Sequence, residues 1–517
     1  MTDILHDINA EEVTPDDLPP EPNRPQRVAV VGEHTLEIGS DVEIAKRVAE
    51  DLRSQYGEIV FDDGEFHCYD GSRWSALSDE KKRKAVHQYD GATYFTPELK
   101  QLAVRLSKSR IDSVLNEMRA ILRQRNFFAD APIGINCASG FITFDAVGQP
   151  SLVEHDRSHG CRHVLRGSWR PGMSGEPPPG SLLGRLINGV FEDDEDEVAK
   201  RNLIAELAGC AALGYATKLR RPKAIVLYGP TAENGKSQIL DAMRGLLPKS
   251  AISSVPVTKF GDQSFLVGIA GKLLNATDEL RGSGAIASDT FKACVTGETV
   301  TARDLYRSAI EFRPIALNLF ATNKLPGFEG GFDRGVLRRL LLLAFNRFIP
   351  NEERIENIGQ RIAEEEPDLL LAFAVGGATR LIKQRDFTVP PSSDKGLQKW
   401  ASGADPVLAW VVARVDPAAA PPPGQKVIGI KSSLAHSLFK QWALDAGYRL
   451  DTIPAVNGFV QRLESNKTIA SISVRHTRTG NWLIGLTILA TDRDPNEDGI
   501  EEADRADRDM DGRQRRW

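Results

Sequence analysis

The chain has 517 residues, of which 41% are hydrophobic and 26% charged, and a formal net charge of −6. This length and balance allow several domains with real cores and exclude a fibrous, disulfide-dense or wholly disordered chain. No run of 18 or more apolar residues occurs, so no membrane span is expected, and the acidic, polar start from Met1 to Pro25 does not read as a secretory signal.

The five cysteines are scattered, which fits a reducing cytoplasm better than a disulfide framework. Charge is unevenly spread. Residues 1–25 hold seven acids and one base, and residues 492–517 ten acids and six bases, whereas residues 200–350 hold 21 bases and 12 acids. A basic region in an acidic protein points to a polyanion such as DNA. The plainer reading is a solvated surface with phosphate-site cations.

In chain order, residues 1–38 read as a disordered acidic tail rich in Pro, Asp and Glu. Residues 39–180 read as an α+β domain. Ser40 caps a helix to about Gln55, Asp-Gly turns at 63–64 and 70–71 set a small hairpin ending near Trp74, helices follow at about 78–88 and 97–124, and strands and turns fill 132–170. The joint Pro177-Pro178-Pro179-Gly180 leads to residues 181–385, a helical lead-in followed by alternating strands and helices. The acidic run Glu192 to Glu197 reads as a complement to the dipole of the next helix. Residues 386–425 read as a helix and a Pro/Ala-rich linker. Residues 426–490 (helix, helix, hairpin) have the order of a winged-helix-like module, with Lys426, Lys431, Lys440 and Arg449 as candidate DNA contacts. Residues 491–517 read as a disordered charged tail. Trp400, Trp410 and Trp442 are expected in cores. His155, His159, Cys161 and His163 lack the spacing of a paired zinc knuckle.

The chemistry concentrates in residues 181–385. The apolar run Ala224 to Tyr228 reads as a buried strand, the segment Gly229-Pro-Thr-Ala-Glu-Asn-Gly-Lys-Ser237 as a phosphate loop, and Gln238 to Leu247 as a helix. Backbone N–H groups of such a loop and the helix N-terminus cradle phosphate, Lys236 reaches the β/γ-phosphates and Ser237 holds Mg²⁺. Gly229, Pro230, Asn234 and Gly235 complete the nucleotide-binding set. Five residues rather than four separate Gly229 from Gly235, so Pro230 stands where the first glycine usually does.

A second apolar run, from Lys272 to Thr277, ends in Asp278-Glu279. There Asp278 is placed to support Mg²⁺ and Glu279 to orient the attacking water. A third strand, Ile315 to Ala321, ends in Thr322-Asn323, which puts Asn323 at the γ-phosphate as a sensor. Val300–Leu305 and Ile310–Arg313 read as a hairpin, with Lys292, Arg303, Tyr306 and Arg307 as DNA-binding candidates. Past the sensor, Arg338 or Arg339 is expected to reach a neighbouring subunit's γ-phosphate, with Arg334 the outsider.

Taken in order, Asn234-Gly-Lys-Ser, Asp278-Glu279, Thr296-Gly297…Ala302-Arg303 and Thr322-Asn323 resemble the motifs of superfamily 3 helicases. Phe320-Ala-Thr-Asn-Lys-Leu-Pro326 and the Arg-Arg pair resemble the phage/plasmid primase–helicase family, related to the poxvirus replication NTPase. The likeness spans about residues 40 to 490, its weaker cues being the Trp74 hairpin and Ile135-Asn-Cys-Ala-Ser-Gly-Phe-Ile142. It implies an α/β P-loop NTPase core of modified AAA+ type, ATP and Mg²⁺ as cofactors, a hexameric ring, and movement along single-stranded or forked DNA in a bacterial host's cytoplasm. No primase domain is expected in the residues before the first helix, so a separate primase would be needed. Two other readings stay open: a nucleotide-switched origin-binding or scaffold protein that does not unwind DNA, and a P-loop kinase.

Overall fold

The computed structural model describes residues 34–229, 233–278, 286–303, 309–323, 326–329, 331–417, 429–448, 450, 453–465, 473–477, 480–484 and 486–488. The chain divides into two units, one made of residues up to 59 with 77–123, the other of residues 60–76 with everything after 123.

In the first unit, helix Asp41–Tyr56 begins where the sequence places it. The Ser40 hydroxyl accepts the Glu43 N–H, and the Glu43 carboxylate accepts the N–H groups of Glu37, Ile38 and Gly39 at 2.7–2.9 Å. Helix Asp79–His87 also forms as expected. The long helix expected over 97–124 is shorter. It spans Lys108–Leu122, capped by Ser107, because residues 93–103 fold instead into a hairpin of Thr93–Phe95 and Gln101–Ala103. The turn of that hairpin puts Leu99 at φ +62°.

The second unit opens with two small antiparallel sheets: Glu65–Tyr69 with Trp74–Ala76, and Gly134–Cys137, Gly140–Phe144 and Pro150–Val153. Its centre is a five-stranded parallel sheet. The strands are β1 (Ala224–Tyr228), β2 (Ile252–Ser253), β3 (Leu274–Thr277), β4 (Leu317–Thr322) and β5 (Leu340–Ala344), in spatial order β2-β3-β4-β1-β5. Near-continuous apolar strands suit a parallel sheet covered on both faces, and alternate residues serve different cores. Ile225, Leu227, Leu319, Leu341 and Leu343 pack with helices Glu197–Leu213, Lys236–Leu246 and Pro367–Gln384. Val226, Phe320, Leu340 and Leu342 face Phe260, Phe291, Phe328 and Trp400. This architecture is compatible with a nucleotide-binding α/β core.

Polar residues inside that sheet are paired across it. Asn275, on β3 and fully buried, accepts from the Ser253 hydroxyl (3.0 Å) and Val255 N–H (2.8 Å) and donates to Val255 O (3.0 Å) and Asn318 Oδ1 (3.2 Å). Truncating it strands several buried partners at once. Asn275→Ala is expected to lower unfolding free energy by about 3 kcal/mol, read by denaturant titration.

Helix Pro391–Ala404, in the stretch read as a helix and linker, packs on β5 and puts Trp400 in the ring cluster of Phe328 and Phe332. Helices Ser432–Asp445 and Val456–Ser465 with strands Ser473–Thr477 and Gly480–Ile484 follow in the expected order. Strand Gly429–Lys431 joins that sheet, and Trp410, Phe439 and Phe459 fill the core of the module. Trp400 and Trp410 are buried, and Trp442 is half-buried. Both terminal tails read as disordered lie outside the described residues, apart from the last few of the first. So do Lys426 and Arg449.

Candidate functional site

All five central strands run parallel, so their carboxyl ends share one edge, which is where open α/β sheets bind ligands. At that edge β1 gives way to Gly229, and β3, β4 and β5 to Asp278, Asn323 and Phe345. β4 lies between β3 and β1, so the end carrying Asn323 neighbours the loop and the end carrying Asp278 lies one strand further along the same edge. Sequence spacing alone does not give that adjacency.

Of the phosphate loop, Pro230 to Ala232 lie outside the described residues. Gly235 caps the following helix at φ +82°, a conformation that favours glycine, and a Cβ there would meet Val190 Cγ1 at 2.4 Å. A Cβ on Gly229 would meet Asn234 Nδ2 at 2.1 Å and Lys236 Nζ at 2.7 Å, so the tips of both side chains lie directly against Gly229. Lys236 is the first residue of the helix and is buried, at 7% exposure. Its ammonium donates to Asn234 Oδ1 (2.8 Å) and Gly229 O (3.3 Å), and burial lowers its pKa. Asn234 is buried as well, and its Nδ2 donates to Phe345 O at 3.5 Å. Its side chain therefore grips the lysine and the end of β5. Ser237, next along the helix, is exposed.

Asp278 sits at the end of β3, half exposed. Arg244, from the helix after the loop, binds its two carboxylate oxygens at 3.0 and 2.8 Å and donates to Ala276 O at 3.1 Å. Asp241 lies 3.5 Å from the same guanidinium, and burial raises the Asp241 pKa, with the charge of Asp278 adding to the effect. The i,i+3 spacing of Asp241 and Arg244 is visible in the sequence, but nothing there aligns Arg244 with Asp278. Glu279 lies outside the described residues. Asn323 follows β4 and is exposed.

Strands Val300–Ala302 and Ile310–Phe312 pair antiparallel, forming the expected hairpin; its tip, with Tyr306 and Arg307, lies outside the described residues. Arg303 at its shoulder is exposed. Lys292 is held by Asp333 (2.7 Å), the cap of the short helix Arg334–Leu337, so it braces that helix.

The arginine pair separates. Arg339 turns back to donate to Gly335 O (3.0 Å) and is half-buried, and burial lowers its pKa. Arg338 is exposed and, among the described residues, its guanidinium makes no hydrogen bond or ion pair. Both precede β5, whose first residue pairs with the first of β1. They therefore lie at the amino edge of the sheet, roughly 15 Å from the phosphate loop along β1.

Several sequence expectations resolve into other roles. In the run Glu192–Glu197, Asp194 pairs with fully buried Lys200 at 2.6 Å, Asp196 accepts the Ser392 N–H at 2.6 Å, and Glu192 meets Arg347 at 2.5 Å. The run also leads directly into helix Glu197–Leu213, with Asp196 at its N-cap and Glu197 in its first turn, as the dipole reading expects. Lys200 also donates to Ala344 O (3.0 Å), tying the lead-in helix to the end of β5. The His/Cys group disperses. His155 bonds Asn136, His159 stacks on Phe141, and His163 bonds Ser250 and Gly271 O, its pKa pushed down to about 4 by burial. Among the described residues no group of three or more His, Cys, Asp or Glu is placed to hold a metal ion.

No helix of the described residues is long and apolar enough to cross a membrane. No curated protein matches the chain. Among solved structures it is similar to the apo NrS-1 C-terminal region, at 11% identity and a TM-score of 0.42 over 86% of this chain and 99% of that one. The A form of that region gives 11% identity and a TM-score of 0.41 over 86% and 98%. Identity and TM-score at this level leave the function to be argued from the site itself. Residues 227–339, which carry the loop, both neighbouring strand ends and the arginine pair, match the model of a family described as of unknown function (DUF5906).

Proposed function

We propose that this chain is an ATP-hydrolysing motor on DNA, of the superfamily 3 helicase type, serving replication of a phage, prophage or plasmid in a bacterial cytoplasm. The observation that carries this reading is the convergence at one sheet edge of a glycine-closed loop with a buried lysine and the strand ends bearing Asp278 and Asn323. The residues present fit a nucleotide. The loop's N–H groups and Lys236 would hold its phosphates, and Ser237 with Asp278 would hold Mg²⁺, which supplies charge neutralisation at the transferring phosphate. Phosphate oxygens would draw the Lys236 ammonium from Gly229 O and Asn234 Oδ1. Asp278 would exchange Arg244 for metal.

Glu279 would orient water, and Asn323 would read the γ-phosphate. Arg338, exposed at the opposite edge, is suited to a neighbour's site rather than its own, which favours a ring, with six subunits the implied number. Arg303, Tyr306 and Arg307 would grip single-stranded or forked DNA.

The pairing of Asp278 with Arg244 favours a second reading, a nucleotide-operated switch at an origin that binds without turning over. Glu279→Gln separates the two. The motor reading expects ATP binding kept and DNA-stimulated hydrolysis lowered about 10²-fold or more. A wild type that binds ATP and DNA without turnover, matched by the variant, supports the switch.

A further inference from the structure

We infer that Arg354 is a positioning residue that presets the phosphate loop by acting through Glu233; its link to nucleotide binding rests on the reading above. Glu233 lies in the lengthened stretch between Gly229 and Gly235. It adopts φ +63°, a left-handed conformation uncommon for a residue with a Cβ, which persists where surroundings hold it.

The surroundings here are the segment that follows β5. Ile349 N–H donates to Glu233 O at 3.0 Å, and Arg354 Nη2 donates to the Glu233 carboxylate at 2.7 Å. The same guanidinium donates through Nε to Ile349 O at 2.8 Å and lies 5.2 Å from the centre of the Phe348 ring. One planar fork thus fixes the acid and the backbone that caps the left-handed turn, which a lysine cannot do.

Both ends of the segment also reach the loop and its helix. Phe345 O accepts from Asn234, the residue that grips Lys236, and Gly359 N–H donates to Gln238 Oε1 at 3.0 Å. Residues 345–359 therefore strap the loop from Glu233 to Gln238. A partly exposed ion pair contributes little by itself. Its effect here is geometric: with Glu233 to Gly235 already held, those residues add no ordering cost when phosphate binds.

The test uses the full chain, as wild type, Glu233→Gln, Arg354→Gln, Arg354→Lys and the double Gln variant. Two readouts are taken: ATP affinity by equilibrium binding, and hydrogen exchange of the nucleotide-free segment 229–240. Each single Gln variant is expected to weaken ATP binding about tenfold and to speed exchange across that segment, with KM affected more than kcat. Arg354→Lys should recover part of the loss, and the double variant should be no worse than either single one, since both act through one latch. Unchanged exchange and affinity in Arg354→Gln, or full multiplication of the two single effects, would overturn the latch. A wild type that binds no ATP would overturn the nucleotide reading instead, and the exchange data would still decide whether Arg354 orders the loop.

Discussion

Arg338→Ala is expected to keep ATP binding and lose turnover by about 10³-fold or more, the magnitude of an arginine supplied to a phosphoryl-transfer site. The reason is positional. Arg338 precedes β5 at the amino edge of the sheet, and the loop of the same chain lies at the other edge. A residue so placed is remote from its own loop, so in the proposed ring it would act on a neighbour's nucleotide. Mixed assemblies give the decisive signature: Arg338→Ala combined with Lys236→Ala should regain activity at interfaces that join an intact loop to an intact Arg338. Arg339, folded back on Gly335 O, should show a smaller loss, dominated by local stability. Equal losses in both variants, with no recovery on mixing, would remove the case for a shared site.

Lys236→Ala is expected to weaken ATP binding and to lower hydrolysis by about 10²–10³-fold, as for loss of one preorganised electrostatic donor. Lys236 is buried, with its pKa lowered, in a loop that closes on it through Gly229 and Asn234. Alanine removes that charge and also the hydrogen bond from Lys236 Nζ to Asn234 Oδ1. Asn234→Ala therefore makes an informative companion. A smaller loss of binding, with a loop that exchanges faster, is the outcome of a residue that holds the lysine rather than the phosphate. Binding and turnover can be read by isothermal titration and steady-state phosphate release.

Much of the core was legible in the sequence because its strands are short apolar runs bounded by polar or glycine-bearing turns. Ala224–Tyr228 and the run ending at Thr277 announce themselves by composition, and the hairpin around residues 304–308 by its flanking strands. What the sequence withheld is mostly three-dimensional adjacency. Arg244 meets Asp278 across 34 positions and Arg354 meets Glu233 across 121, and neither pair leaves a periodic trace. The asparagines on β3 and β4 look out of place in apolar strands until the parallel register sets Asn275 opposite Asn318. The overlong helix over 97–124 has a local cause: Thr93–Phe95 and Gln101–Ala103 pair before Ser107 can start a helix. Helix propensity from Lys108 onward was real, but hairpin formation took the preceding residues. Likewise, Lys292 meets Asp333 across 41 positions.

The most direct measurement is ATP hydrolysis by the purified chain with and without single-stranded DNA, at matched Mg²⁺, beside Lys236→Ala. The expected result is hydrolysis that DNA stimulates strongly and that Lys236→Ala lowers by about 10²–10³-fold. Hydrolysis indifferent to DNA, or persisting undiminished in Lys236→Ala, would contradict it.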